Sequence, residues 1–176
     1  MSKTVKELCI NAMGIVLFVV LSFCIQVPVF ENYYLCLGYI AMAVYCYCFG
    51  PVSGTIVGAL GVVIYCLLIN GLRGMPGWAL GNVVVGIAAG LAFYHTKSIS
   101  NNVARAVINI AAVIISTAVG MLGIKSITEC ILYAQPFLLR SGKNFYAFAA
   151  DAAVLLISLP LCRILEPQLS KILKTK

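Results

Sequence analysis

Gly50-Pro51-Val52-Ser53-Gly54-Thr55-Ile56-Val57-Gly58-Ala59-Leu60-Gly61 cuts one long apolar region in two. The residue before a proline avoids the helical region, so Gly50-Pro51 makes a turn and a new helix follows it. Gly50, Gly54 and Gly58 are four apart and share one face of that helix, with Gly61 close to it. A second stretch, Gly74-Met75-Pro76-Gly77-Trp78-Ala79-Leu80-Gly81-Asn82, repeats the design with Arg73 and Trp78 flanking a glycine-proline turn. The first stretch speaks to helix packing, the second also to a ligand.

Outward from these turns the chain is lipid-like. Of its 176 residues 62% are hydrophobic and 10% charged, and the mean hydropathy is +1.06. A soluble domain carries about 25% charged residues. A spanning helix needs roughly 20 apolar residues, which leaves room for about six. The expectation is an all-α integral membrane protein, a single domain over residues 1–176, with six spans near 6–27, 35–49, 52–70, 78–94, 103–133 and 145–165. The second span is short for a full crossing, and Pro160 is expected to kink the sixth. The first apolar run, Leu8 to Val27, is span-length and lacks an A-x-A-like site, so no cleaved leader is expected.

The 12 Lys and Arg residues set the orientation. With both termini in the cytoplasm, eight lie inside (Lys3, Lys6, Lys97, Arg105, Arg163, Lys171, Lys174, Lys176) and four outside (Arg73, Lys125, Arg140, Lys143). That is the arrangement the positive-inside rule favours, in a bacterial cell membrane, and it puts the loops 31–34, 71–77 and 134–144 together outside. The net charge of +7 therefore serves orientation and anionic lipid rather than nucleic acid. The eight cysteines are scattered through apolar segments with no C-x-x-C pair, which fits packing and gives no metal or redox site. No internal repeat or inverted symmetry marks a secondary transporter, and no P-loop, H-E-x-x-H or G-x-S-x-G motif marks an enzyme. No cofactor is implied.

Polar residues at the outer ends of the spans are the candidate site. Trp78 and Asn82 are four apart on one face, as are Lys125 and Glu129, while Asn144 and Asp151 are two turns apart with Asp151 deep in an apolar stretch. Ionisable groups in a membrane are costly and face a cavity or a partner. Asn32, Tyr34, Tyr133, Arg73, Arg140 and Lys143 complete the set from the outer loops. An aromatic pocket with a few placed polar groups suits a planar, polar small molecule. Each residue also has a structural role open to it: an ion pair for Lys125 and Glu129, a packed hydrogen bond for Asp151, an interfacial anchor for Trp78.

A family resemblance rests on Leu37-Gly38-Tyr39-Ile40, Phe49-Gly50-Pro51-Val52-Ser53-Gly54, Gly58-Ala59-Leu60-Gly61 and Pro76-Gly77-Trp78. These residues, six spans and inside termini resemble the substrate-binding S components of energy-coupling factor (ECF) transporters, most closely the riboflavin-type group, over roughly residues 8–165. The resemblance implies capture of a vitamin or related micronutrient (a flavin, a pyridine or pyrimidine, or a modified purine) and docking on a transmembrane coupling subunit driven by two ATPases. It also implies a docking face of small residues on the first helix, which carries over to Ala12 and Gly14; Val16 stands where the family often has alanine. The alternative is a stand-alone proton-coupled carrier for a small polar molecule using Asp151 or Glu129, and a third class is an intramembrane enzyme.

Overall fold

The computed structural model describes residues 3–24, 26–30, 33–69 and 71–174. Its elements run α1 (Lys3–Cys24), β1 (Gln26–Phe30), β2 (Tyr33–Cys36), α2 (Gly38–Cys48), α3 (Pro51–Leu68), α4 (Met75–Thr96), α5 (Asn102–Thr117), a π-helical segment (Ala118–Lys125), α6 (Ser126–Tyr133) and α7 (Phe137–Lys174). Five helical stretches, Thr4–Cys24, Pro51–Leu68, Met75–Thr96, Asn102–Tyr133 and Phe137–Leu169, are each long and apolar enough to cross a bilayer. The 11 residues of α2 rise only about 16 Å at ~1.5 Å per residue, roughly half of a ~30 Å hydrocarbon core. Nine of those residues are buried, because α1, α3, α4 and α7 all pack on α2.

What precedes α2 corrects the expected first span and loop. The helix stops at Cys24, and β1 and β2 pair antiparallel as a hairpin, with Val27 opposite Leu35 and Pro28 opposite Tyr34. Val27 and Phe30 in one strand and Tyr33, Tyr34 and Leu35 in the other are β-branched, aromatic or apolar, residues that suit a pleated strand. Pairing satisfies backbone groups that a loop at membrane depth would leave bare. The pairing slips at Pro28 and Phe30, where proline has no N–H to give. The hairpin packs on α7 and α1.

A second correction concerns residues 135–144. Helix α7 begins at Phe137, so Arg140, Lys143 and Asn144 are helical rather than in a loop. The helix also continues through Pro160 and Pro167. At its start, contacts from Arg140 and Asn144 back to α6 hold a turn that local polarity alone would not favour.

Glycines set how closely these helices cross. A Cβ at Gly54 would meet Cys46 Sγ at 2.1 Å, at Gly58 Met42 Sδ at 2.5 Å, and at Gly61 the Phe18 ring at 2.6 Å. Gly86 and Gly90 seat Thr55 and Pro51 in the same way. Between apolar helices in lipid the drive to associate is close packing, which is why small residues line these seams. Gly50 has φ of 98°, a conformation open to glycine at no steric cost, and it turns the chain directly from α2 into α3.

Two ends can now be named. The hairpin end holds β1, β2 and residues 71–74 and 134–136; the opposite end holds the 49–50 turn and the 97–101 connection. At the opposite end Asn101 caps α5 by accepting from Val103 N at 2.9 Å and Ala104 N at 3.3 Å. Glu166 on α7 pairs there with Lys97 Nζ at 3.2 Å and Arg105 Nη2 at 3.4 Å, and Arg105 also donates to the Tyr47 hydroxyl.

Candidate functional site

A chain of hydrogen bonds starts at the hairpin end of α4. Trp78 Nε1 donates to the Tyr39 hydroxyl at 2.8 Å, that hydroxyl donates to Asn82 Oδ1 at 2.7 Å, and Asn82 Nδ2 donates to the Gly58 carbonyl at 3.0 Å. The spacing of Trp78 and Asn82 puts both on one face, and Tyr39 at the start of α2 joins them. Tyr39 and Asn82 have no exposed surface. Around them the Phe18 ring meets Tyr39 edge-on at 5.9 Å, and Tyr65 meets Trp78 at 5.9 Å with planes at 89°.

Asp151 on α7 is 3% exposed. Its carboxyl interacts with the Tyr39 hydroxyl and with the Lys125 ammonium, so it links this chain to a second set of polar groups. Those are Lys125, Ser126 and Glu129, and Asn144 on α7, all buried. Asn144 Nδ2 donates to Ser126 Oγ and to Glu129 Oε2, each at 3.0 Å, and Arg140 Nη1 stands 3.8 Å from the same Glu129 oxygen. Arg140 Nε is buried without a hydrogen-bond partner among the described residues.

The local backbone explains how α4 and the fifth long helix come so close. The π-helical segment carries Gly120, whose absent side chain lets Gly81 approach: a Cβ on either would lie within 3 Å of the other's carbonyl oxygen. Gly77, one turn earlier, rests against the Lys125 carbonyl and Glu129 Cγ. A π-turn shifts the register of the side chains that follow it. Here it ends at Lys125, at the point where the ammonium is directed into the cluster.

Over this cluster sits an aromatic–cation stack. Arg73 lies 4.9 Å and Arg140 5.8 Å from the Tyr133 ring centroid, and the Tyr133 hydroxyl donates to the Arg73 carbonyl. That contact joins the 71–74 connection to the end of α6.

Of the residues expected from sequence, Trp78, Asn82, Lys125, Glu129, Arg140, Asn144 and Asp151 thus lie in one connected network, with Arg73 and Tyr133 above it. Lys143 is half-buried on α7, one position and therefore about 100° around the helix from Asn144. Asn32 and the side chain of Tyr34 lie outside the described residues. On α1, Ala12 is exposed, but Gly14 faces inward, against Val57 and Tyr45, where a Cβ would approach within 2.5 Å. Gly14 serves the packing of this chain and presents no outward surface, which corrects its place beside Ala12 on a docking face.

Tyr39 and Ser126 join this network without having been expected from sequence. Tyr39 stands in a quoted motif, but a tyrosine in an apolar run reads as core until Asn82 and Trp78 are seen to converge on it. Serine at the start of α6 gives no sequence signal. Among the described residues no three His, Cys, Asp or Glu side chains are grouped to hold a metal ion.

The network sums to two cations, Lys125 and Arg140, and two carboxylates, Glu129 and Asp151. Lys125, Glu129 and Asp151 are buried and Arg140 is half-buried at their edge; such a charge-balanced group of donors and acceptors beside an indole ring is equipped to recognise a molecule by hydrogen bonds and stacking.

The family model described as "ECF-type riboflavin transporter, S component" matches residues 2–167. Among solved structures, the S-component for biotin from an ECF-type ABC transporter matches with a TM-score of 0.61 and 17% identity, covering 96% of this chain and 95% of that one. At that identity the likeness shows the fold. No curated protein sequence matches.

Proposed function

Because the chain belongs to the family of ECF-type riboflavin transporter S components, we propose that its hairpin-end network binds a neutral, planar heteroaromatic micronutrient of the flavin kind. The protein is the substrate-binding subunit of an ECF importer, and its family is a transporter component rather than an enzyme family.

The observation that carries the substrate reading is the network's balance of two cations and two carboxylates, all buried but the half-buried Arg140, whose Nε is buried with no hydrogen-bond partner among the described residues. A charged ligand entering such a site unbalances it and loses its own hydration, whereas a neutral one exchanges hydrogen bonds for hydrogen bonds. Trp78 supplies a stacking face, Asn82 and Asn144 supply amides, and Arg140 Nε supplies a free donor. Asn32, Tyr34 and Lys143 belong to the proposed rim.

The proposed membrane placement has six crossings, α2 and the hairpin together making the second, in a single domain with both termini in the cytoplasm of a bacterium. The eight-to-four distribution of Lys and Arg supports it. The network then faces outside, where substrate arrives. Ala12, exposed on α1, belongs to the face that meets the transmembrane coupling subunit, and two ATPases supply the energy that this chain has no nucleotide site to supply.

Trp78 is the sole tryptophan, so a titration of the purified protein with riboflavin reads the site directly through its quenching. Riboflavin should quench with saturation and flavin mononucleotide, which adds a phosphate, should bind at least tenfold more weakly. Equal affinity for the two would sink the charge-balance argument, and no quenching by either would sink the flavin reading.

A further inference from the structure

At the opposite end of the bundle a cleft of about 550 Å³ opens between α5 and α7. Tyr47, Ala106 and Asn109 line it from one side and Leu156, Pro160 and Arg163 from α7, with the exposed Arg163 and Ile164 taken as its mouth. Its size falls within the range of ~300–1,000 Å³ usual for small-molecule sites. From Leu156 to Arg163 it follows α7 for about 10 Å at ~1.5 Å per residue. Most of the lining is hydrocarbon; the one amide, Asn109, accepts from Thr96 Oγ1 at 2.7 Å through its Oδ1. Ala106 and Pro160 have short side chains, which is why the two helices leave a slot there rather than interdigitating. Ile164 is 65% exposed, so the slot opens sideways.

The mouth is different in kind. Arg163 lines it, and Lys97 and Arg105 stand 5.3 and 5.5 Å from the ring of Tyr47, another lining residue; with Glu166 that is three cations to one carboxylate. Both Glu166 oxygens are engaged by Lys97 and Arg105, at 3.2 and 3.4 Å. Arg163 is exposed and has no carboxylate partner among the described residues. The surplus cation therefore stands where an apolar slot meets the polar surface. Anionic headgroups are drawn to basic residues at that level, and an acyl chain fits an apolar slot that opens to lipid.

We infer that this cleft is a binding site for one anionic phospholipid, with its phosphate on Arg163 and the start of an acyl chain in the slot over Ala106. The amphipathic match, one guanidinium without a carboxylate partner at a largely apolar slot, selects a lipid over a soluble anion, which would leave the slot bare. A protein partner or a second copy of this chain would instead have to present an apolar ridge with an acid at one end.

Native mass spectrometry of the full-length protein, released from micelles doped with phosphatidylglycerol or phosphatidylcholine of identical chains, tests this. One phosphatidylglycerol should be retained at least fivefold more than phosphatidylcholine. Arg163→Gln should erase the preference and Arg163→Lys restore it, while Ala106→Trp, which fills the slot, should lower retention of both lipids. Lys6→Gln, which removes one positive charge elsewhere, should change nothing. Equal retention of the two lipids, or retention unaltered in both Arg163→Gln and Ala106→Trp, overturns the assignment. So does a lipid-free dimer that Ala106→Trp converts to monomer, since that places a second copy in the cleft.

Discussion

Tyr39→Phe removes one oxygen atom from the centre of the proposed site and leaves the ring that packs on Phe18. Removed with it are the hydrogen bond received from Trp78 Nε1 at 2.8 Å, the one given to Asn82 Oδ1 at 2.7 Å, and the hydroxyl's interaction with the Asp151 carboxyl. Their costs differ. Trp78 is only half-buried, so its N–H recovers a partner from water, whereas Asn82 has no exposed surface and its oxygen does not. A buried group left unsatisfied costs about 1–3 kcal/mol, against about 0.5–1.5 for a bond whose partner is resolvated. The expected loss is therefore about 2–3 kcal/mol, most of it from the buried Asn82 and Asp151. If Asn82 and Trp78 hold the ligand, their loss of register should also weaken riboflavin by about tenfold, equivalent to ~1.4 kcal/mol. Denaturation of the purified protein reads the first effect and Trp78 quenching the second. Tyr94→Phe, on an exposed tyrosine, is the control and should move neither. A Tyr39→Phe protein with unaltered midpoint and unaltered riboflavin affinity would refute the placing of that hydroxyl at the hub.

Asp151→Asn leaves the network with one excess positive charge. At an effective dielectric of about 20, a unit charge ~6 Å away contributes ~3 kcal/mol, so the affinity ratio should swing toward flavin mononucleotide by at least tenfold; a ratio that stays put in paired titrations would detach Asp151 from the ligand. Gly54→Ala brings a methyl within 2.8 Å of the Cys46 backbone as well as onto its sulfur, whereas Gly58→Ala meets the flexible end of Met42. The first should cost about 1–3 kcal/mol and the second clearly less, compared by denaturation midpoints, and Cys46→Ala should not rescue Gly54→Ala. Ala12→Trp should leave riboflavin binding intact and abolish uptake by the assembled importer, while Gly14→Leu should lower the yield of folded protein; uptake that survives Ala12→Trp would move the docking face elsewhere.

Much of this was legible in the chain, and the reasons are physical. Gly50-Pro51 and the four-residue glycine spacing are local rules, and the structure obeys them at Cys46, Met42, Thr55 and Pro51. Trp78 with Asn82, and the burial of Asp151, follow from helical periodicity and from the cost of charge in an apolar helix. Three features were not legible. The hairpin of β1 and β2 lies in apolar sequence that helix and strand accept equally, and its pairing is decided by what it packs on. The early start of α7 depends on Arg140 and Asn144 reaching Glu129 across the gap from α6, a tertiary contact with no local signature. The π-turn that directs Lys125 inward arises where Gly81 and Gly120 cross, so it needs both helices to exist first. Tyr39 fell between these cases, quoted for its motif and given no role.

Uptake of labelled riboflavin into proteoliposomes bears most directly on what this protein does. The chain by itself, with a pH gradient across the membrane, should bind riboflavin and accumulate none, and accumulation should appear with ATP once the coupling subunit and the ATPases are incorporated. Accumulation by the chain alone, driven by the pH gradient and lost in Asp151→Asn, would contradict the account and make the protein a proton-coupled carrier.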